Sequence, residues 1–308
     1  MEIINNNLEF VKEEVDKVLS TSPLVIRSYT KHLLKAQGKY IRALSVLICA
    51  MDEKGEIHPD AIQFAAAIEI LHLATLVHDD VMDNADTRRG ITTLHKEYGH
   101  KTAIICGDYL LALSVSLIND VKQKRSYIEY DLPNYMVEVA LGELTQHINN
   151  GNYNITVKEY LEIIRGKTAA LFEASFVAGY ISTQNSDELE KYKLMGHNIG
   201  MIFQLVDDCI DFEVSTDAAK KPTQSDFEQG VFTLPLILSL AKVGEKITAL
   251  TRLEVNALVR EHNGVEETKV KAREYYAASE AIIDTLETTN AKKDSLKSLL
   301  DLSMGYLS

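Results

Sequence analysis

Residues 59–83, PDAIQFAAAIEILHLATLVHDDVMD, decide how this chain can fold. Proline and aspartate at the start are typical of a first helical turn, and the Ala/Ile/Leu-rich run that follows has almost no charge before Asp79. An apolar run without a wide polar face is typical of a helix that is buried on nearly all sides. We therefore predict that this segment is the central helix of the core.

The rest of the chain has a helical pattern as well. Only five prolines and fifteen glycines interrupt it, and most runs between them place apolar residues three and four apart. Thr156 and Glu159 have the spacing of a capping box, and residues 185–188 mark another helix start. Charged amphipathic segments from about Thr251 onward predict a covering helical layer. Without a linker or a repeat, we predict an all-α fold and a single domain over residues 1–308.

Composition excludes several classes of protein. A net charge of -13 argues against a nucleic-acid partner, which would require clustered lysine and arginine. The first residues lack the pattern of a signal peptide, and no stretch reaches about 18 uninterrupted apolar residues. We expect a cytoplasmic protein without a membrane span. Cys49, Cys106 and Cys209 lie in apolar surroundings without CxxC spacing, which predicts core residues rather than a zinc site or a disulfide framework.

The central helix ends in a cluster of aspartates. Asp79 and Asp83 are four residues apart, about 6 Å along a helix axis, so both carboxylates share one face, with Asp80 beside them. The same spacing recurs at Asp207, Asp208 and Asp211. Like charges at such positions are destabilising unless cations compensate them.

Magnesium suits these clusters, because it takes one or two carboxylates per ion and keeps its other positions for water and phosphate oxygens. A solvated acidic helix end would explain either cluster alone. Two clusters, each after a long apolar run, instead favour magnesium ions between facing carboxylates, bridged by a diphosphate. A di-iron bundle would need Glu-x-x-His pairs on two helices and two further glutamates, and the pair Glu69 and His72 on the central helix does not by itself supply that set.

Basic residues accompany the aspartates at Lys39, Arg42, Arg88, Arg89, Lys167 and Lys221. Each alone is more commonly a solvated surface charge. Several of them, however, adjoin apolar helical segments, and guanidinium groups suit bidentate recognition of phosphate. The pattern predicts two anionic subsites, one bound through metal and one bound directly.

These segments resemble, in order, the motifs of the trans-isoprenyl diphosphate synthases. LVHDDVMDNADTRRG (76–90) resembles the first aspartate-rich motif of that family, and FQLVDDCIDF (203–212) resembles the second. QGKYIRA (37–43) resembles the segment Gly-Gly-Lys-Arg-x-Arg-Pro, and CGDYLLA (106–112) resembles Gly-Asp-x-Leu-Leu. The further matches are GELTQ (142–146), YLEIIRGKTAALFEAS (160–175) and KKPTQSDFEQGVFTLP (220–235).

The chain departs from the family pattern in two segments. Gln37, Tyr40 and Ala43 stand where the family usually has Gly, Arg and Pro. In the second segment, Lys220 and Gln224 stand where the family pattern has glycines, and Val231 stands where many members have lysine. The second group affects the details of the loop at 220–231 rather than the chemistry.

The resemblance implies a large helical bundle around a central substrate cavity, and a homodimer. It also implies a head-to-tail, 1'-4 trans condensation, in which an allylic diphosphate ionises, isopentenyl diphosphate attacks the cation, and a proton is lost. Three magnesium ions would be held by Asp79, Asp80, Asp83, Asp207, Asp208 and Asp211.

Other residues receive roles from the same resemblance. Arg88, Lys167 and Lys221 would contact the allylic diphosphate, while Thr168 and Gln204 would face the allylic cation. Isopentenyl diphosphate would be bound by Lys39, Arg42, His72 and Arg89, and Phe203 would be a further substrate-binding residue. Without the resemblance, His72 would be interpreted as a satisfied core histidine.

Product length depends on the residues before the first motif. Ala74 and Thr75 lie one turn earlier on the helix than Asp79, and so under the growing tail. Short-chain members of the family often carry Phe or Tyr at these positions, whereas Ala74 and Thr75 leave the pocket open. We predict a hexa- to octaprenyl-type product of about thirty carbons or more for a quinone side chain, and a shorter product from Ala74→Phe.

Several alternatives stay open. The product could be geranylgeranyl or farnesyl diphosphate, or the chain could be a terpene cyclase or a head-to-head, squalene-type synthase. From a different class, it could be a non-catalytic partner subunit of a heteromeric synthase. Both aspartate motifs and the basic residues Lys39 and Arg42 favour the stand-alone prenyltransferase.

Overall fold

The computed structural model describes residues 2–36, 38–121, 127, 130, 132–213, 225–243 and 249–305. These residues are mostly helical, which confirms the predicted all-α class. The N-terminal helices are α1 (Glu2–Ser20), α2 (Arg27–Leu33), α3 (Ile41–Cys49), α4 (Pro59–Met82), α5 (Leu94–Tyr98) and α6 (His100–Asn119). They are followed by α7 (Tyr135–Asn149), α8 (Val157–Ile164), α9 (Ala170–Ser182), α10 (Leu189–Glu213), α11 (Ser225–Glu228), α12 (Leu234–Leu240), α13 (Arg252–Glu261), α14 (Gly264–Asp284) and α15 (Asn290–Met304).

Helix α4 is the predicted central helix. Pro59 occupies its first turn, and the backbone N–H of Asp60 donates to Nδ1 of His58, the N-cap residue. Buried side chains recur along α4 from Asp60 to Asp80. Helix α6 packs against it, with the Ser114 hydroxyl donating to the carbonyl of Ala67 at 2.9 Å.

The described residues fall into two compact units, each built from several parts of the chain. The first contains Met1–Leu132, Ser175–Tyr192 and Thr288–Ser295, and the second contains Pro133–Ala174, Lys193–Glu287 and Leu296–Ser308. The single domain over residues 1–308 and its central cavity therefore stay predictions.

The first unit contains a short hairpin that the sequence does not predict. Strands β1 (Thr87–Arg88) and β2 (Ile91–Thr92) pair antiparallel and are joined by Arg89 and Gly90. Both joining residues have positive φ, 52° and 79°, as a two-residue type I′ turn requires. Glycine adopts this conformation readily, whereas Arg89 adopts it at a cost.

The second unit contains a π-helical turn, Arg165–Ala169, between α8 and α9. The predicted capping box begins α8: Thr156 and Glu159 bond to each other's backbone N–H groups. Helix α7 comes close to the π-helical turn at Gly142, where an added Cβ would lie 2.2 Å from the backbone nitrogen of Lys167. A π-helical turn inside a helix is frequent at functional sites.

Two described helices have the length and hydropathy of a membrane span. In α4 56% of the apolar window is buried within the protein, and in α6 28% is buried. A buried core helix meets the same criteria, so the finding is weak evidence for a membrane span. The absence of a membrane span stays a prediction. All three cysteines are buried and unpaired, in agreement with the prediction that they are core residues.

Candidate active site

The first aspartate cluster lies at the C-terminal end of α4. Asp80 is 6% exposed, and its Oδ1 accepts a hydrogen bond from Nε of Arg88 at 2.6 Å. Burial raises the pKa of Asp80, and the neighbouring Arg88 opposes that shift. Asp79 is partly exposed and Asp83 is exposed. The cluster thus divides into one buried carboxylate paired with arginine and two carboxylates that solvent can reach.

The hairpin after this cluster is held at several points. The hydroxyl of Thr93 donates to the carbonyl of Ala85 at 2.7 Å, and its backbone N–H donates to that of Asp86 at 3.1 Å. Nε2 of His32 lies 2.8 Å from the carbonyl of Thr92. Asp86, which has no predicted role, forms an ion pair with Lys96 at 2.9 Å. These contacts fix the hairpin that carries Arg88 and Arg89.

A basic group of residues lies in the same unit. It consists of Arg42, His72 and Arg89, whereas Lys39, the fourth residue predicted to bind isopentenyl diphosphate, is exposed two residues before α3. Burial, and then Arg42 and Arg89, lower the pKa of His72 well below its ordinary value, so its imidazole is neutral at pH 7. Burial lowers the pKa of Arg42 to about 10, which leaves it charged at neutral pH.

Glu69 adjoins this group. Its Oε1 accepts the backbone N–H of Ala43 at 2.9 Å, and Arg42 and Arg89 lower its pKa against the effect of burial. The Glu69-x-x-His72 pattern is therefore part of a basic subsite, and the di-iron interpretation of it finds no support in these contacts.

The second aspartate cluster lies on α10, in the second unit. Asp208 is 2% exposed and accepts hydrogen bonds from the hydroxyl of Tyr160 and, at 3.0 Å, from Nε2 of Gln204. Burial raises the pKa of Asp208 to about 7, although both hydrogen bonds lower it. Asp207 is exposed and Asp211 is partly exposed. Both clusters therefore share one design: the middle aspartate is buried and held by protein donors.

Residues predicted to face the allylic cation belong to this second network. The hydroxyl of Thr168 donates to Oε1 of Gln204 at 2.7 Å, so Gln204 is held from both ends of its amide. Phe203 packs against Phe172 with ring centroids 5.4 Å apart. Nζ of Lys167, on the π-helical turn, donates to Glu143 at 2.9 Å. Tyr160 and Glu143 have no distinguishing spacing in the sequence, and only the packing reveals their contacts.

The two product-length residues differ in environment. Ala74 is fully buried, whereas Thr75 is partly exposed and its hydroxyl donates to the carbonyl of His72 at 2.8 Å. Thr75 shares a helix face with His72 and Asp79, and Ala74 points to a different side. Lys221, a predicted diphosphate ligand, lies outside the described residues.

Among the described residues, no three His, Cys, Asp or Glu side chains converge as a metal-binding group. Magnesium does not need such a group, because one or two carboxylates per ion are sufficient when phosphate and water supply the other ligands. Hard oxygen donors on accessible carboxylates, as at Asp83 and Asp207, fit that chemistry.

Comparison with known proteins shows what this chain is similar to. A family model described as polyprenyl synthetase matches residues 23–273. Heptaprenyl diphosphate synthase component 2 of Geobacillus stearothermophilus is 30% identical over 299 residues, covering 94% of this chain and 92% of the relative. The geranylgeranyl diphosphate synthase of Saccharolobus solfataricus is 33% identical over 250 residues, covering 79% and 74%. A polyprenyl synthase from Caulobacter crescentus CB15, solved with calcium and isoprenyl diphosphate, superposes with a TM-score of 0.86 at 27% identity, covering 98% of this chain and 95% of that one.

Proposed function

The chain belongs to the polyprenyl synthetase family and is a trans-prenyltransferase, and we propose that it elongates an allylic diphosphate with isopentenyl diphosphate to a long-chain polyprenyl diphosphate for quinone side chains. The observation that carries the proposal is the shared design of the two aspartate clusters. In each, a buried middle carboxylate is held by protein donors while its neighbours stay accessible. Such an arrangement suits metal-assisted binding of a diphosphate.

Magnesium would be held by Asp79 and Asp83 in the first cluster and by Asp207 and Asp211 in the second. When bound, it would stabilise the negative charge that develops on the departing diphosphate. For Asp80 and Asp208, which the sequence also predicts as metal ligands, we propose that they hold Arg88 and Gln204 in position. The calcium found with isoprenyl diphosphate in the Caulobacter enzyme supports a divalent cation at these clusters.

The remaining side chains act on the substrates themselves. Arg88, Lys167 and Lys221 would contact the allylic diphosphate directly, as guanidinium and ammonium groups do with phosphate oxygens. Thr168 and Gln204 present dipoles to the allylic cation rather than a nucleophile that would trap it. The departed diphosphate accepts the proton that is lost at the end, so no side-chain base is required.

Isopentenyl diphosphate would bind to Lys39, Arg42, His72 and Arg89 without metal. The neutral His72 donates one hydrogen bond and adds no charge, while the guanidinium groups supply the countercharge. Separate subsites keep the two diphosphates apart, so that only one of them is activated as a leaving group.

Thr75 supports a long product. It lies one turn before Asp79 on the face that also carries His72, and its side chain is small. A tail that grows from a diphosphate bound at Asp79 would pass Thr75 without obstruction. The alternative is a geranylgeranyl or farnesyl product. The similarity to the geranylgeranyl diphosphate synthase of Saccharolobus supports this alternative.

One reaction tests the proposal. The purified chain, incubated with magnesium, labelled isopentenyl diphosphate and farnesyl diphosphate, is expected to yield products of about thirty carbons or more, read by mass analysis. Thr75→Phe should shorten them because the ring would obstruct the path, and Thr75→Ser is the matched control. Ala74→Phe tests the second residue: because Ala74 is fully buried on another side of the helix, its ring would have to displace neighbouring side chains, and we expect a shorter product together with a loss of stability. A wild-type product that stops at fifteen or twenty carbons would contradict the long-chain assignment.

We further propose a cytoplasmic homodimer. Apolar side chains remain exposed along α6 and along α7, which supports a surface covered by a second copy. The relative from Geobacillus is named as component 2 of a synthase, which supports the alternative of a heteromeric enzyme. If the purified chain elongated no allylic substrate until a second protein was added, the stand-alone enzyme would be excluded.

A further inference from the structure

Glu69 is an acidic side chain inside a subsite that binds an anion, and the reaction described above gives it no role. It lies on α4 three residues before His72, and its Oε1 accepts the backbone N–H of Ala43 at 2.9 Å. Ala43 is the third residue of α3 and directly follows Arg42. Because the first N–H groups of a helix have no acceptor within it, Glu69 serves as a cap supplied by another helix.

Positive charge is concentrated around this carboxylate. Burial and then Arg89 lower the pKa of Arg42, and Glu69 opposes that shift. Burial and then Arg88 lower the pKa of Arg89, and Glu69 opposes this shift as well. The positive end of α3 adds to them, since Arg42 and Ala43 lie in its first turn. Glu69 therefore stabilises the positive charge of both guanidinium groups, and Asp80 acts in addition on Arg89.

The Glu69 side chain is partly buried, and burial disfavours its charged form. Burial raises its pKa, and the Ala43 N–H, Arg42 and Arg89 lower it, in that order of effect. A carboxylate that is removed from water is stable only where hydrogen bonds and opposite charges replace the water. Here those partners are the first turn of α3 and two residues of the isopentenyl diphosphate subsite.

We propose that Glu69 is a positioning residue of the isopentenyl diphosphate subsite, which fixes the start of α3 and holds the guanidinium groups of Arg42 and Arg89 together for one diphosphate. The inference rests on the proposed function of that subsite. Electrostatics alone predicts the opposite effect, because removing an anion beside an anion-binding site should tighten diphosphate binding. The sign of the change therefore separates positioning from simple repulsion.

Glu69→Gln is the decisive variant, because glutamine keeps an acceptor for the Ala43 N–H and loses the charge. We expect the KM for isopentenyl diphosphate to rise about 10- to 100-fold, the scale typical of interactions with a charged partner that lose that charge. The kcat and the KM for the allylic diphosphate should stay unchanged. A KM for isopentenyl diphosphate that is equal to or below the wild-type value would overturn the proposal.

Glu173→Gln is the matched control. Glu173 is buried, whereas Glu69 is partly buried; the pKa of Glu173 is likewise raised by burial, and it accepts a hydrogen bond from Tyr135 at 3.1 Å in the second unit. It should leave the KM for isopentenyl diphosphate unchanged. Equal increases in both variants would indicate a general loss of stability and would overturn the positioning role.

Two further measurements make the result independent of turnover and of folding. Calorimetric binding of isopentenyl diphosphate in EDTA, without allylic substrate, should weaken by the same factor in Glu69→Gln. If that variant does not fold, Glu69→Asp keeps the charge on a shorter side chain and should still raise this KM selectively; no increase would overturn the proposal.

A double-mutant cycle tests whether Glu69 acts through Arg89. The effects of Glu69→Gln and Arg89→Gln should be non-additive, and additive effects would contradict a role through Arg89.

The outcomes distinguish the two levels of inference. If the wild-type chain neither binds nor consumes isopentenyl diphosphate, the proposed function fails, and the role of Glu69 fails with it. If the wild-type chain is active and Glu69→Gln behaves like it, only the role of Glu69 fails.

Discussion

At the scale of single residues, the two aspartate clusters place side chains of one type in different environments, which would suit different tasks. Asp80 and Asp208 are 6% and 2% exposed and are held by Arg88 and by Tyr160, whereas Asp83 and Asp207 are exposed. The sequence identifies both clusters by their spacing. It cannot tell which carboxylate is buried, because that depends on donors distant in the chain, and Tyr160 is 48 residues before Asp208.

Tyr160→Phe tests this division of tasks. The change removes a hydroxyl that donates to Asp208 and leaves Gln204 as the remaining side-chain donor on that carboxylate. Because this hydrogen bond lowers the pKa of Asp208, its loss should raise that pKa further above about 7. The acidic limb of the kcat profile should then move to higher pH, and the free energy of unfolding should fall by about 1–3 kcal/mol.

The control is Tyr276→Phe, which removes a tyrosine hydroxyl that donates to Asp301 at 2.6 Å on an exposed surface. It should leave the pH profile unchanged. Identical profiles for the wild type and Tyr160→Phe would mean that Asp208 does not depend on Tyr160.

At the scale of secondary-structure elements, regular helices are predictable and local irregularities are not. Helix α4 and the capping boxes at Thr156 and Thr251 follow from short-range patterns, since the residues that decide them are within a turn or two of each other. The Arg89–Gly90 turn depends in addition on Thr93 and His32, which hold the hairpin through backbone carbonyls. The π-helical turn depends on its packing against α7, so no local pattern predicts it.

Gly142→Ala tests the link between α7 and the π-helical turn. An added Cβ would lie 2.2 Å from the backbone nitrogen of Lys167, and backbone atoms cannot rotate away as a flexible side chain can. We expect a loss of about 1–3 kcal/mol in the free energy of unfolding, typical of overpacking. We also expect a higher KM for the allylic diphosphate, because Lys167 would move relative to Glu143.

The control for this change is Gly305→Ala, where the nearest atom to an added Cβ would be 3.2 Å away. Thermal unfolding and steady-state kinetics of both variants provide the comparison. A Gly142→Ala enzyme with unchanged stability and KM would show that the π-helical turn tolerates movement of α7.

At the scale of the whole molecule, the distribution of exposed apolar side chains bears on assembly. On α7, Val137, Leu141, Leu144 and Ile148 recur at helical spacing and are all exposed. On α6, the exposed apolar residues are Ile104, Ile105, Val115 and Ile118. Isolated apolar residues on a surface are ordinary, but stripes of this length are typical of contact surfaces. The sequence shows that these helices are apolar; only the structure shows that one side of each lacks cover within the described chain.

Leu141→Glu tests whether a second copy covers these stripes. Leu141 is 56% exposed, so the charge is tolerated in a separate chain, whereas in a dimer it would be buried and desolvated at a cost of several kcal/mol. We expect sedimentation analysis to show a dimer for the wild type and a shift toward monomer for the variant, with its helical content retained. Leu253→Glu, at an 81% exposed position on α13, should remain dimeric. A Leu141→Glu protein that stayed a dimer would assign the contact to another surface, because a buried unpaired carboxylate at the interface would not permit tight association.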